Sequence, residues 1–208
     1  MIYLSDDYME KYSNTLSYLI ARGIEEKYSF SYIEKKISYS EMALELERSN
    51  VTTIAFSSME RIYNLIFMPD KNDDFHLDIY GIYGWVGMTY MHLFLSLKVT
   101  FELLFILLPI EKIIEMYHLY HEMSFSQVLD YVKSLVEHSY LDVVMRDRKM
   151  SSNELSKMTS IPFATINALR YGKRDINKIE ALKLLKISQA LNVKIESLFP
   201  NINLTIGD

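Results

Sequence analysis

The side chains best suited to chemistry in this 208-residue sequence lie near its C-terminal end, and they are polar and basic rather than nucleophilic. In the stretch IPFATINALRYGKR, residues 161–174, Ile166 and Leu169 stand three apart, the spacing of one helical face, and should turn inward. Phe163, Ala164, Asn167 and Arg170 are then left to project outward, with Thr165 on the same short helix. An outward Asn167 has the donor and acceptor needed for a bidentate bond to adenine, and Arg170 those for guanine or a phosphate. Lys173 and Arg174, in the loop just after, suit backbone phosphates. So do Ser152 and Asn153 at the start of the preceding helix.

Other chemistries find little support. The chain has no cysteine, which excludes disulfides, thiol nucleophiles and cysteine zinc sites. His118, His121 and Glu122 share one helical face, but not with the four-residue histidine spacing of the zinc-protease pattern, so no metal site is expected. Gly81, Gly84 and Gly87 recur every third residue without a following Lys-Ser/Thr, which points to close helix packing rather than phosphate binding. No Ser-His-Asp grouping is suggested, and carboxylate pairs such as Glu25–Glu26 read as solvated faces. The sequence therefore reads as a non-enzyme without cofactors.

The elements that must position the polar segment follow from patterning. Half the residues are hydrophobic and only 6 are Gly and 4 Pro, which excludes a disordered or collagen-like chain. A net charge of −5 hides an asymmetry: residues 1–138 carry 11 basic and 20 acidic side chains, residues 139–208 carry 11 and 7. One end of the chain is thus suited to a polyanion. Helices are predicted over Tyr8–Arg22, capped by Asp6 or Asp7 and ended by Gly23, and within Glu25–Glu47 with a break near Ser38–Ser40. Ser57 or Ser58 caps a helix over Met59–Phe67; further helices cover Trp85–Leu97, Thr100–Leu108 and Ile110–Tyr120, and another begins near Phe125. Val51–Phe56 and Phe75–Ile79 each allow a short strand, so a mainly α fold with a small two-stranded element is expected. The uncharged run Ile79–Leu97 is long enough to span a bilayer, but its glycines, His92 and Ser96 favour a buried central helix. The first twenty residues lack the apolar stretch of a signal peptide, consistent with a cytoplasmic protein that makes no membrane contact.

From Met145 onward the sequence resembles the lambda-repressor-like, or Cro/C1-type, helix-turn-helix family over about a third of the chain. Glu154-Leu155-Ser156-Lys157 resembles the start of that family's second helix, and Met150-Ser151 the step before it. Ile161-Pro162 and Thr165-Ile166 match the turn and recognition helix; Leu169, Tyr171-Gly172 and Lys173 match its end. Ala190-Leu191-Asn192-Val193 with Ile195, Ser197 and Leu198-Phe199 matches the closing segment. Locally, Ser152 is positioned to cap the short helix whose Leu155 and Met158 point one way, and Gly172 to adopt a left-handed cap. Three departures stand out: Ser156 where Ala is common, Ser160 where Gly is common in the turn, and Asn153 where a Gln is common. The stretch from Gly172 to Leu191 is also longer than usual, which predicts an extra turn or loop around Arg174–Lys178.

The resemblance implies a five-helix, DNA-reading domain over residues 137–208. An acidic, aromatic-rich helical domain over 1–136 would then serve dimerisation, a protein partner or an effector. Double-stranded DNA is the implied partner and a homodimer the implied assembly, since paired half-sites multiply the affinity of one small module. The function read from this is a dimeric repressor of its own operon. The competing reading is an antitoxin-like inhibitor whose N-terminal domain binds a protein while the helix-turn-helix regulates its supply.

Overall fold

The computed structural model describes residues 6–48, 57–69 and 79–199. Among the described residues the secondary structure is helical: α1 (Asp6–Glu25), α2 (Phe30–Ser38), α3 (Glu41–Glu47), α4 (Met59–Phe67), α5 (Ile82–Leu97), α6 (Phe101–Leu107), α7 (Ile110–Tyr120) and α8 (Phe125–Ser134). Then come α9 (Tyr140–Asp147), α10 (Ser152–Thr159), α11 (Phe163–Arg170) and α12 (Ala181–Leu191), with 3-10 turns at Ile176–Lys178 and Ile195–Leu198. The fold is mainly α. The strand expected at Val51–Phe56 lies outside the described residues, and so does that at Phe75–Ile79 except for Ile79, which is irregular.

Polar caps set most boundaries. Ser29, Ser40, Ser58, Thr100 and Ser139 each accept a hydrogen bond from a backbone N–H in the first turn of the helix that follows. Gly23 does not end α1, which runs on to Glu25; the reversal comes at Lys27, with φ of 65°. Asp6 and Asp7 are the first residues of that helix rather than its caps. Gly23 serves packing, since a Cβ there would stand 2.9 Å from the Ile33 side chain on α2.

The central pair is α1 and α5. Gly87 lets them touch: a Cβ at that position would overlap Ser17 and the carbonyl of Ser13, and would lie 2.8 Å from the Ser17 nitrogen. The apolar run of α5 is a core helix, with Val86, Tyr90, Met91 and Leu93 fully buried. Among the described residues no single helix is long and apolar enough to cross a membrane, and α5 and α6 meet at a bend of 110°. Around this pair, Leu16, Leu19, Ile33, Ile37, Met42, Tyr63 and Phe101 fill the interior. It also contains an ion: Arg22 is fully buried, its Nη1 donating to the Tyr18 hydroxyl at 2.8 Å and its Nε to Glu26 at 3.1 Å, 4.3 Å from the Tyr63 ring centre.

The buried residues continue without interruption into α9–α12. A polar latch reinforces the junction. Glu102 on α6 accepts the Lys194 backbone N–H at 2.7 Å and the Ser197 hydroxyl at 2.7 Å on one oxygen, and the Tyr39 hydroxyl at 2.6 Å on the other. The Lys194 ammonium donates to Glu47 at 3.0 Å and to the Ser38 carbonyl at 2.5 Å, with both charged side chains about nine-tenths buried. Burial raises the Glu47 carboxyl above its ordinary range, while Lys194 and the Phe101 N–H, 2.9 Å away, pull it back. Each carboxylate thus gains several charge-assisted bonds, which offset the cost of burying it.

Candidate nucleic-acid interface

The two helices of interest, α10 and α11, are joined by a three-residue turn. Ser151, not Ser152, caps α10: its Oγ accepts the Glu154 N–H at 3.2 Å, and the Glu154 carboxylate accepts the Ser151 N–H at 2.8 Å. This reciprocal box satisfies two otherwise unpaired donors and holds the Glu154 carboxyl below its usual range. Ser152 is displaced into the first turn, where it is buried with its Oγ unpartnered in the structure. It is therefore not a surface group placed to meet a phosphate; Asn153, its neighbour, is exposed.

The turn itself is held by side chains. Thr159 Oγ1 donates to the Leu155 carbonyl at 2.7 Å and accepts the Ile161 N–H at 3.3 Å. Ser156 Oγ donates to the Ile161 carbonyl at 2.6 Å. The serine that replaces the common alanine thus ties one helix to the start of the next. Ser160 takes the left-handed conformation, φ 58°, that the family's glycine would adopt without strain. Met158 does not share the inward face with Leu155; it is 61% exposed, and Thr159 occupies that side.

Pro162 stands immediately before α11, where its carbonyl receives the Ile166 N–H at 3.1 Å. Ile161, Ile166 and Leu169 are buried against Leu155, Leu184 and Ile187 of the surrounding helices. Phe163 is 51% exposed and Ala164 is exposed; Thr165 and Asn167 are half-buried. The helix therefore presents an apolar N-terminal edge followed by an amide.

Arg170 departs from the sequence reading. Instead of projecting freely, its Nε donates to Asp142 of α9 at 2.7 Å, with the side chains 18% and 3% exposed. The other Asp142 oxygen takes Arg146 at 3.1 Å. Ser139 adds a bond from its Oγ to the Arg170 carbonyl at 2.7 Å. The N-terminal turn of α9 thus grips the last residue of α11 by side chain and main chain together. Arg170 belongs to the frame that fixes the angle of α11. Asp142 and Ser139 were invisible to local pattern because their partner lies some thirty residues away; the only hint was an acidic residue on the apolar face of α9.

Past α11, Gly172 is left-handed at φ 67°, and a Cβ there would come within 3.2 Å of the His138 carbonyl. Lys173 and Arg174 are exposed, while the Arg174 N–H closes the loop on the Ala168 carbonyl at 3.0 Å. The extra length predicted here is a 3-10 turn over Ile176–Lys178 capped by Asp175, which accepts the Asn177 N–H at 2.9 Å. At the end of α7 the His121 ring stacks on Tyr117 at 4.5 Å and the His118 ring meets it edge-on at 5.7 Å, and among the described residues no cluster of three metal-ligating side chains occurs.

Comparison with known families places residues 140–200 in a match to the Cro/C1-type HTH DNA-binding domain. The chain finds no match among curated proteins or solved structures. The matched segment spans α9 to the closing 3-10 turn, so the capped α10, the serine-tied turn and the docked α11 are its helix-turn-helix. Residues 140–200 are accordingly a Cro/C1-type helix-turn-helix DNA-binding domain, the kind by which transcription regulators bind double-stranded DNA, carried at the C-terminal end of a mainly helical chain.

Proposed function

We propose that this chain is a repressor acting on its own operon, binding as a homodimer with α11 in the major groove of each half-site. The observation that carries the reading is that the outer edge of α11 is open. Among the described residues, α6 packs on α9 and bonds to Lys194 and Ser197 at the closing 3-10 turn, and Phe163, Ala164 and the Lys173–Arg174 loop are exposed. Phe163 and Ala164 suit apolar contact with thymine methyls, Asn167 an adenine, and Thr165 and Asn153 the flanking sugar-phosphate. Lys173 and Arg174 supply the backbone charge. Residues 1–136, acidic and rich in buried aromatics, serve as the dimerising unit.

The test is selection of bound sites from random DNA, followed by footprinting with variants. The wild type should select a two-fold symmetric site. Asn167→Ala should relax preference at one position per half-site by about 1–3 kcal/mol. Lys173→Ala with Arg174→Ala should weaken binding to every sequence and flatten its salt dependence. Unchanged selection by Asn167→Ala would remove α11 from the groove. A stoichiometric protein co-purifying in place of a second copy would favour the inhibitor reading instead.

A further inference from the structure

Four large apolar side chains with much of their surface in solvent converge on one hollow between α2, the start of α3, and α4. Tyr32 is 39% exposed, Tyr39 50%, Leu65 61% and Met68 76%, and all four line a space of about 800 Å³ that also reaches the buried Met42 and Ile62. Single exposed apolar residues are ordinary, but a concave lining shared by several is a binding feature. The volume lies within the range of small-molecule sites. Both tyrosine rings are fixed from behind. The Tyr39 hydroxyl donates to Glu102 at 2.6 Å, and the Tyr32 ring packs on Tyr28 with centres 5.0 Å apart and on Phe67 at 6.3 Å. Their open faces are thus presented to a ligand with little further ordering to be done.

The charge of the lining is opposite to that of its surroundings. Residues 1–138 carry 11 basic and 20 acidic side chains, yet among the described residues the hollow holds three bases, Lys35, Lys36 and Arg61, against one carboxylate, Glu41. Glu41 lies in the first turn of α3, where the helix N-terminus already favours its charge. Lys36 is committed: its Nζ donates to the Ile66 carbonyl at 3.0 Å and stands 5.6 Å from the Tyr32 ring centre. Lys35 and Arg61 are exposed and form no ion pair among the described residues. An apolar hollow beside two unpaired cations calls for an occupant with a hydrocarbon body and a negative head. The preponderance of apolar side chains suits one charge rather than a polyanion, and the two rings suit a flat body.

We propose that this hollow binds a small aromatic carboxylate, its ring system against Tyr32, Tyr39, Leu65 and Met68 and its negative charge answered by Lys35 and Arg61. The site belongs to α2, α3 and α4 alone and is independent of the DNA reading, so either can fail without the other.

The experiment is calorimetric titration of the full chain with 2-naphthylacetate, beside the uncharged 2-(2-naphthyl)ethanol and the cationic 2-(2-naphthyl)ethylammonium. The carboxylate should saturate; the alcohol should bind about tenfold more weakly, and the ammonium more weakly still. Added salt should weaken the carboxylate and leave the alcohol unchanged. Lys35→Gln with Arg61→Gln should bring the carboxylate down to the affinity of the alcohol. Lys133→Gln, the same loss of charge on an exposed residue of α8, should have no effect. Leu65→Glu puts a like charge in the lining and should abolish binding of the carboxylate. All these side chains are exposed, so the variants should fold with nearly unchanged melting temperatures. The proposal is overturned if the carboxylate does not saturate, if the alcohol binds as tightly, or if either the Lys35 and Arg61 double variant or Leu65→Glu binds the carboxylate as the wild type does.

Discussion

Replacing Arg170 by Ala separates two roles that its position in the helix-turn-helix confounds. If Arg170 were a free base-reading side chain, its loss would leave folding intact and reduce DNA binding alone. The structure assigns it elsewhere. Truncation would strand Asp142, 3% exposed, with Arg146 as its remaining ion-pair partner, and the Arg146 side chain is 42% exposed. Breaking a fully buried pair from one side costs about 3–5 kcal/mol. Arg170 keeps 18% of its side-chain surface in solvent and Arg146 still serves one oxygen, so about 2–3 kcal/mol is expected here. For a chain of this size that lowers the melting temperature by about 4–12 °C. Asp142→Asn should cost less, about 1–2 kcal/mol, because Arg170 can turn its charge to water. The double variant Asp142→Asn with Arg170→Ala should be less destabilised than the sum of the two single changes, a coupling of about 1 kcal/mol or more. Urea unfolding of the four proteins measures all of this. An unchanged midpoint for Arg170→Ala, together with a lost base preference at a temperature where the fold is intact, would refute the assignment.

Two further predictions concern the rest of the chain. Glu34 has its carboxyl raised from 4.5 to about 7, so the folded state holds a proton that the unfolded state has already released. Its contribution favours folding most below pH 4.5 and is lost as pH rises through about 7. Glu34→Gln should remove that slope and stabilise the protein above neutrality by up to about 3 kcal/mol, read as a flatter plot of stability against pH. Gly87→Ala places a methyl on the Ser13 carbonyl and Ser17, so α1 and α5 must separate; a loss of about 2–4 kcal/mol in thermal or urea unfolding is expected.

Local chemistry made much of the helix-turn-helix legible. The apolar pair Ile166 and Leu169, the proline before α11 and the glycine after it are each short-range devices, and each acts where its residue type says it should. The Ser58 cap belongs to the same class. What escaped depends on distant partners. Gly23 resembles a helix stop, yet its lack of a side chain is spent on Ile33 of α2. Arg170 resembles a surface arginine until α9 supplies Asp142 beneath it. Ser151 and Ser152 are indistinguishable as caps by type; Glu154, three residues after Ser151, was the available discriminator, because the reciprocal box needs that spacing. The latch among Glu47, Glu102, Lys194 and Ser197 joins positions about 90 to 150 apart and left no periodic trace.

That latch bears on how two copies would read DNA. Lys194 and Ser197 are not held by a single exposed contact that could swing. Two carboxylates receive a backbone N–H, a hydroxyl and an ammonium in a nearly dry interface, while α9 packs directly on α6. Directional bonds of this kind fix orientation as well as proximity. In the proposed dimer, joined through residues 1–136, the separation and relative rotation of the two α11 helices would then be set by the fold rather than by a flexible tether. Inserting about 5 base pairs between the selected half-sites turns one of them to the opposite side of the duplex, since a full turn takes about 10. A rigidly seated pair should lose nearly all the gain from the second half-site, and restoring a full turn should not rescue it, because the span would be wrong by about 34 Å. Lys194→Met, which leaves Glu47 buried without its cation, should loosen the seat and make the same protein more tolerant of spacing, though less stable. Tight binding by the wild type at several spacings would show that the two DNA-binding segments move independently, and the latch would then be a contact without this consequence.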